Sequence, residues 1–210
     1  MERIKGMDVS HHQGMVDFAK AKASGIEFAM LRAGYGWENW PKQTDRMFYQ
    51  NYKNATAAGM PCGAYHYSYA KTAEDALREA DFFLHIIKGC KLEYPVAFDL
   101  EDPTQARLGR TALTGIADAF CRKVEQAGYY VCLYTNPDWM KNRLDTKALS
   151  RYDLWIARYG TEPPIGTAGM WQYTSTGKVD GVKTNVDLDI AYRNYPQIIR
   201  KAGLNGFWRG

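Results

Sequence analysis

The stretch YPVAFDLED, residues 94–102, decides the fold. Val96, Ala97 and Phe98 have the apolar character of a short buried strand, and the run ends in Asp99, Leu100, Glu101 and Asp102. Like charges repel, and taking carboxylates out of water is costly. Such a strand either runs out into solvent, or its crowded acids serve chemistry. Side chains two apart on a strand share a face, so Asp99 and Glu101 point the same way, with Cα atoms roughly 6–7 Å apart. Asp102 has the opposite phase and, directly before Pro103, reads as a loop or helix-capping residue.

Outward from this stretch, strand-like runs alternate with helical patterns. The strands are GMDVS (6–10), EFAMLRAGYG (27–36), CGAYHYSY (62–69), PVAFDLE (95–101), YYVCLYTN (129–136), DLWIARYG (153–160), GMWQYTS (169–175) and NVDLDIAY (185–192). Helical spacing covers residues 16–25, 44–58, 72–88 and 111–128. This alternation predicts parallel strands with right-handed crossovers. Eight strands in 210 residues fit an α/β fold: an irregular, TIM-like, single-domain (β/α) barrel. The last third lacks long helices, which predicts shortened helices there and hairpin joins between the final strands.

Hydrophobic residues make up 46% of the chain, enough for a substantial core, and the net charge is +4. No Lys/Arg block marks a nucleic-acid surface, and no apolar run is long enough to span a membrane. The opening MERIKGMDVSHHQG has no apolar segment of the signal-peptide kind. Cys62, Cys90, Cys121 and Cys132 are far apart and form no CxxC, so reduced, buried thiols are expected.

In an α/β barrel the active site lies at the C-terminal ends of the strands. Asp8 ends strand one, Asp99 and Glu101 end strand four, and strand eight carries Asp187 and Asp189. Acids at a single strand end are common, but three strands delivering them to one mouth is a stronger signal. Crowding and burial raise carboxyl pKa values, giving a general acid beside an ionised neighbour, the pair that glycosidic cleavage needs. Asp189 shares the phase of Asp187, and Asp187 is the one placed in the site. Arg32 reads as a structural ion-pair residue, His66 as a structural histidine facing away from Tyr65 and Tyr67. His11 and His12 are adjacent and expected to point apart, so no metal is expected. Tyr65, Tyr67, Tyr134, Trp155 and Gln172 are candidates for lining a sugar cleft.

Eight pieces occur in order between residues 6 and 192: MDVSHHQG (7–14), LRAGYG (31–36), GAYHYS (63–68), FDLE (98–101), LYTN (133–136), DLWIARY (153–159), WQYTS (171–175) and NVDLD (185–189). In these the chain resembles the family-25 glycoside hydrolases, lysozymes of the muramidase type from bacteria and phages. The resemblance implies an irregular β/α barrel that cleaves the β-1,4 bond between N-acetylmuramic acid and N-acetylglucosamine in peptidoglycan. It places Asp8, Asp99, Glu101 and Asp187 on the family's acidic positions, with Glu101 as general acid and Asp99 assisting on the other side of the sugar. Tyr65, Tyr134 and Gln172 fall near groove-lining positions, and Met7 stands where isoleucine is more usual.

Asp99 could orient the substrate's own N-acetyl group, attack directly, or activate a water; the D-x-E spacing resembles that of chitinase-like barrels and favours the first. The chain ends at KAGLNGFWRG, so residues 1–210 are expected to form one catalytic domain without a separate wall-binding module. The expected partner is bacterial peptidoglycan, met by a monomer outside the cell with no cofactor, nucleic acid or membrane insertion. Release from a host cytoplasm by lysis, as for a phage endolysin, fits the missing export signal. The rival from another class is a non-catalytic, lectin-like barrel. A barrel acting on phosphorylated metabolites would need a glycine-rich phosphate loop, for which TSTGKVDG (174–181) is a poor candidate.

Overall fold

The computed structural model describes residues 3–40, 42–164 and 166–208. Its eight strands are β1 (Ile4–Val9), β2 (Phe28–Tyr35), β3 (Cys62–Tyr67), β4 (Val96–Asp99), β5 (Val131–Thr135), β6 (Asp153–Ala157), β7 (Met170–Gly177) and β8 (Val186–Ala191). They close in chain order into one barrel. The helices are α1 (Phe18–Ala23), α2 (Phe48–Ala57), α3 (Ala73–Ile86), α4 (Arg110–Gln126), α5 (Pro137–Asn142) and α6 (Tyr195–Ala202).

Pairs β1–β2 through β6–β7 are parallel. β8 runs antiparallel to both β7 and β1. The segment 178–185 is too short for a crossover helix, so the chain returns as a hairpin. This corrects the expectation that the acids sit at the C-terminal ends of the strands: β8 presents its beginning, not its end, at the mouth. The hairpin and the short α5 and α6, of 6 and 8 residues, match the sequence expectation for the last third.

The period-two alternation of the strands builds two cores. Inward side chains fill the lumen with Phe28, Met30, Tyr65, Ala97, Cys132, Tyr134, Trp155 and Met170. Below them α6 plugs the barrel through Tyr195 and Ile199, with the Tyr195 ring 5.5 Å from that of Tyr94. Outward side chains such as Val9, Leu31, Ala64, Val96, Phe98 and Leu133 pack beneath the helices against Phe83, Leu113 and Phe120. Each large side chain so buried contributes about 1.5–3 kcal/mol. Gly6 permits the tight lower end, since a Cβ there would lie 2.2 Å from the Phe28 ring, which stacks on Tyr94 at 4.1 Å. All four cysteines are buried and unpaired.

His66 faces the helices, as its phase predicts, fully buried and stacked on Phe120 at 5.7 Å. Its Nε2 lies 4.0 Å from Oε2 of Glu79, which is also fully buried. Glu79 Oε1 accepts from the Tyr69 amide at 2.8 Å, holding the loop after β3. Burial pushes the Glu79 carboxyl up to about 8 and the His66 imidazole down to about 3. A raised carboxyl stabilises the fold fully below its unfolded value near 4.5 and loses that contribution as pH rises through about 8. His66 works in the opposite direction: its neutral state is lost as pH falls from its usual range toward about 3. Thermal unfolding should therefore show the protein losing a few kcal/mol, roughly 5–10 °C in Tm, between pH 5 and pH 9. Glu79→Gln should make that alkaline limb shallower while matching the parent near pH 5. Parallel profiles for the two proteins would remove the assignment.

Candidate active site

Asp8 is the last inward-facing residue of β1 and is 4% exposed. Its Oδ2 accepts from Gln172 Nε2 at 2.8 Å and its Oδ1 from the Tyr65 hydroxyl at 3.5 Å. Gln172 is itself aimed: its Oε1 accepts from the Tyr134 hydroxyl at 3.0 Å and the Tyr159 hydroxyl at 3.2 Å, which turns its amide nitrogen toward Asp8. Tyr159 is a residue that the sequence reading passed over.

Asp99 is the final residue of β4, 5% exposed, and its Oδ1 has no hydrogen-bond partner among the described residues. Glu101 lies beyond the strand rather than on it, which corrects the reading of 95–101 as one strand. It still shares the cleft with Asp99 because the segment between them is pinned. Leu100 is fully buried, its amide donates to Tyr134 O at 3.1 Å, and its carbonyl accepts from Thr135 Oγ1 at 3.0 Å. The half-buried Glu101 carboxyl is hydrogen-bonded to the Asn136 side chain. Asn136 Oδ1 caps α5 through the Trp139 amide at 3.1 Å, so the cap fixes the amide beside Glu101. Asn136 was not singled out from sequence, although the quoted LYTN ends on it.

Asp187 lies near the start of β8, directly opposite Asp8 in the antiparallel register. Two residues further into the lumen, Asp189 is fully buried and accepts from Trp155 Nε1 at 2.8 Å. Trp155 is therefore floor rather than open groove: it is 1% exposed and lies against Tyr134 at 4.6 Å. Tyr67, half-buried, donates to Asp102 Oδ2 at 2.9 Å, and Asp102 Oδ1 accepts from the Thr104 amide at 2.9 Å, a loop-holding role.

Asp8, Asp99, Glu101 and Asp187 all line one cavity of about 170 Å³, together with Ser10, His12, Gln13, Arg32, Tyr65, Tyr67, Tyr134, Trp155 and Gln172. A larger groove of about 760 Å³ beside Met15, Phe18 and Val182 shares no residue with it.

Burial raises every cleft acid above the ordinary carboxyl range, and like charge adds to it for Asp8, Asp99, Glu101 and Asp189. Asp8 is raised well above by burial, then by Asp189 and Asp187. Asp99 is raised well above by burial, then by Glu101, with the Arg32 charge opposing. Glu101 is raised by burial, then by Asp187, with Asn136 opposing. Asp187 is raised by burial, and a hydrogen bond with Asp8 opposes it. Asp189 is raised well above by burial, with the Trp155 hydrogen bond opposing. The group titrates as a cluster and holds protons where isolated carboxyls have lost theirs.

Arg32 does not pair with a cleft acid. Its Nε donates to Asp45 Oδ2 at 2.9 Å, and Asp45, 1% exposed, also accepts from the amides of His11 at 3.1 Å and Met47 at 2.9 Å. Asp45 was unmarked in the sequence, 13 residues from Arg32. His11 and His12 do not point apart: the 3-10 turn His11–Gln13 brings their rings to 4.1 Å.

The sequence model described as Glycosyl hydrolases family 25 matches residues 7–182. The "Autolytic lysozyme" of Clostridium acetobutylicum is 33% identical over 190 residues, covering 89% of this chain and 55% of that protein. The crystal structure of the CTP1L endolysin superposes with a TM-score of 0.82 at 30% identity, covering 94% of this chain and 70% of that one. The modular autolysin LytC of Streptococcus pneumoniae, solved with a synthetic peptidoglycan ligand, gives 0.79 at 25% identity over 91% of this chain and 47% of that one. The chain thus spans about half the length of that lysozyme and of that autolysin. The match over residues 7–182, together with the superposed barrel, shows that the chain belongs to glycosyl hydrolases family 25.

Proposed function

We propose that the protein is a peptidoglycan hydrolase that cuts the β-1,4 bond between N-acetylmuramic acid and N-acetylglucosamine, with Glu101 as general acid and Asp99 assisting. The observation that carries this reading is the pairing, in one cleft, of a half-buried Glu101 with a deeper Asp99 whose Oδ1 has no donor among the described residues. The lysozyme, endolysin and ligand-bound autolysin among its relatives support the substrate class. In this reading the protein works on the bacterial wall.

Asp187 favours the proton on Glu101, while the Arg32 charge offsets only part of the rise that burial and Glu101 impose on Asp99; the different tasks assigned to the two acids rest on position, with Asp99 the deeper of the pair. Glu101 gives its proton to the glycosidic oxygen as the bond to the anomeric carbon breaks. Asp99 accepts the N–H of the substrate's acetamido group and steers its carbonyl oxygen onto that carbon. Glu101, now ionised, takes a proton from the water that opens the cyclic intermediate. Asp8, held by Gln172, and Asp187 keep the cluster's proton affinity high.

Digesting purified peptidoglycan, reducing it with borohydride and weighing the fragments should reveal new muramic-acid reducing ends. New glucosamine ends would move the scissile bond. No release, with tight sedimentation on the wall, would replace the enzyme with a glycan-binding barrel. Proton NMR of the first product should show retained β configuration, and inversion would remove the N-acetyl route.

A further inference from the structure

Beside the acid cleft lies a second cavity of about 340 Å³, lined by His11, His12, Arg32, Tyr35, Tyr67 and Tyr69. The two cavities share Arg32, His12 and Tyr67 as a common wall. Their chemistry is opposite. Four carboxyls line the first, whereas none lines the second.

The Arg32 side chain is only 12% exposed. Its Nε is spent on Asp45, and its Nη2 lies 2.5 Å from His11 Nδ1, which also lies 3.1 Å from Asp45 Oδ2. Nη1 has no hydrogen-bond partner among the described residues, and neither do the hydroxyls of Tyr35 and Tyr69. The Tyr35 ring stands 5.6 Å from the guanidinium carbon and edge-on to Tyr69 at 6.4 Å. A guanidinium removed from water, with a free N–H and a rim of donors, selects an oxyanion over a neutral hydroxyl.

We propose that this second cavity is an anion subsite for the carboxylate arm of a muramic acid, with Arg32 as its specificity-determining residue: the free lactyl carboxylate where the stem is absent, and, where that carboxyl is the amide that starts a stem, a carboxylate of the stem peptide. The proposal rests on the muramidase reading for the identity of the sugar. The acid cleft receives the sugar at the scissile bond, and the adjoining cavity receives the charged arm that distinguishes muramic acid from glucosamine. Neutral chitin-type chains have nothing to place there.

The test uses binding, so it does not depend on turnover. The Glu101→Gln protein is titrated by calorimetry with peptidoglycan tetrasaccharides bearing the free lactyl carboxylate, the same sugars with that carboxylate amidated, and the same sugars with an intact peptide stem. The carboxylate form should bind about tenfold more tightly than the amide, the difference of one charge-assisted hydrogen bond. The double variant Arg32→Met/Asp45→Asn, which leaves no lone buried charge, should erase that preference while retaining affinity for the amide. Equal affinities for carboxylate and amide would overturn the proposal without any variant, and so would a preference that survives the double change. If the stem form binds no better than the amide while the free carboxylate does, the peptide-stem half of the proposal fails. Failure of the muramidase reading would appear separately, as absent muramic-acid ends in the digest of the parent protein.

Discussion

Glu101→Gln should lower kcat on purified peptidoglycan by about 10²–10⁴-fold, the range expected when a positioned general acid is lost. Sedimentation of the protein with insoluble wall should be unchanged, because glutamine keeps the size of the side chain and its contact with Asn136. The variant should also be at least as stable as the parent at neutral pH. Burial and Asp187 raise the folded-state pKa of Glu101, so the ionised carboxyl weakens the fold as pH rises through that pKa, and a neutral amide removes the effect. A loss of lysis accompanied by a fall in Tm would point to damage rather than chemistry. Equal lysis by variant and parent would take the general-acid role from Glu101. The same experiment separates enzyme from lectin, since a glycan-binding barrel would show no parental turnover to lose.

Asp45→Ala should cost about 3–5 kcal/mol, the penalty for leaving a buried charge without its partner, or roughly 10 °C in Tm for a chain of this size. One carboxylate, 1% exposed, holds the Arg32 guanidinium and the amides of His11 and Met47. Its removal strands all three. The Arg32 and backbone donors hold its pKa below the ordinary value against the opposing effect of burial. A lowered carboxyl contributes stability above its unfolded pKa and loses it as pH falls through the folded one, so the gap between variant and parent should close in strong acid. Chemical denaturation at pH 7 and pH 3 measures both limbs. A penalty under 1 kcal/mol at pH 7 would show that water replaces the carboxylate without difficulty.

The barrel was legible because its signals are local. Alternation along a strand assigns each residue to lumen or helix layer, and this put His66 among Phe82, Phe83 and Phe120 while Tyr65 went into the lumen. Strand order followed from the helical segments between strands. The acids at residues 8, 99, 101 and 187 were legible for the same reason, as polar interruptions at the ends of apolar runs. The pairing of Arg32 was not, because nothing local marks Asp45 as its partner. Nor was the support of Glu101: Asn136 stands in the sequence only as the last residue of LYTN, and the closing of β4 against β5 sets it, as the cap of α5, beside the acid.

What the sequence by itself determined is the set of strands, the face each side chain occupies, and the acids they carry, since these depend on the two-residue period and on burial. The tertiary structure decided the direction of β8, which brings Asp187 opposite Asp8, and the meeting of Gln172 with Asp8 across 164 residues of chain. Closure is a property of the whole sheet: the position of the last strand depends on how all the others twist and stagger, and that information resides in no single stretch of sequence.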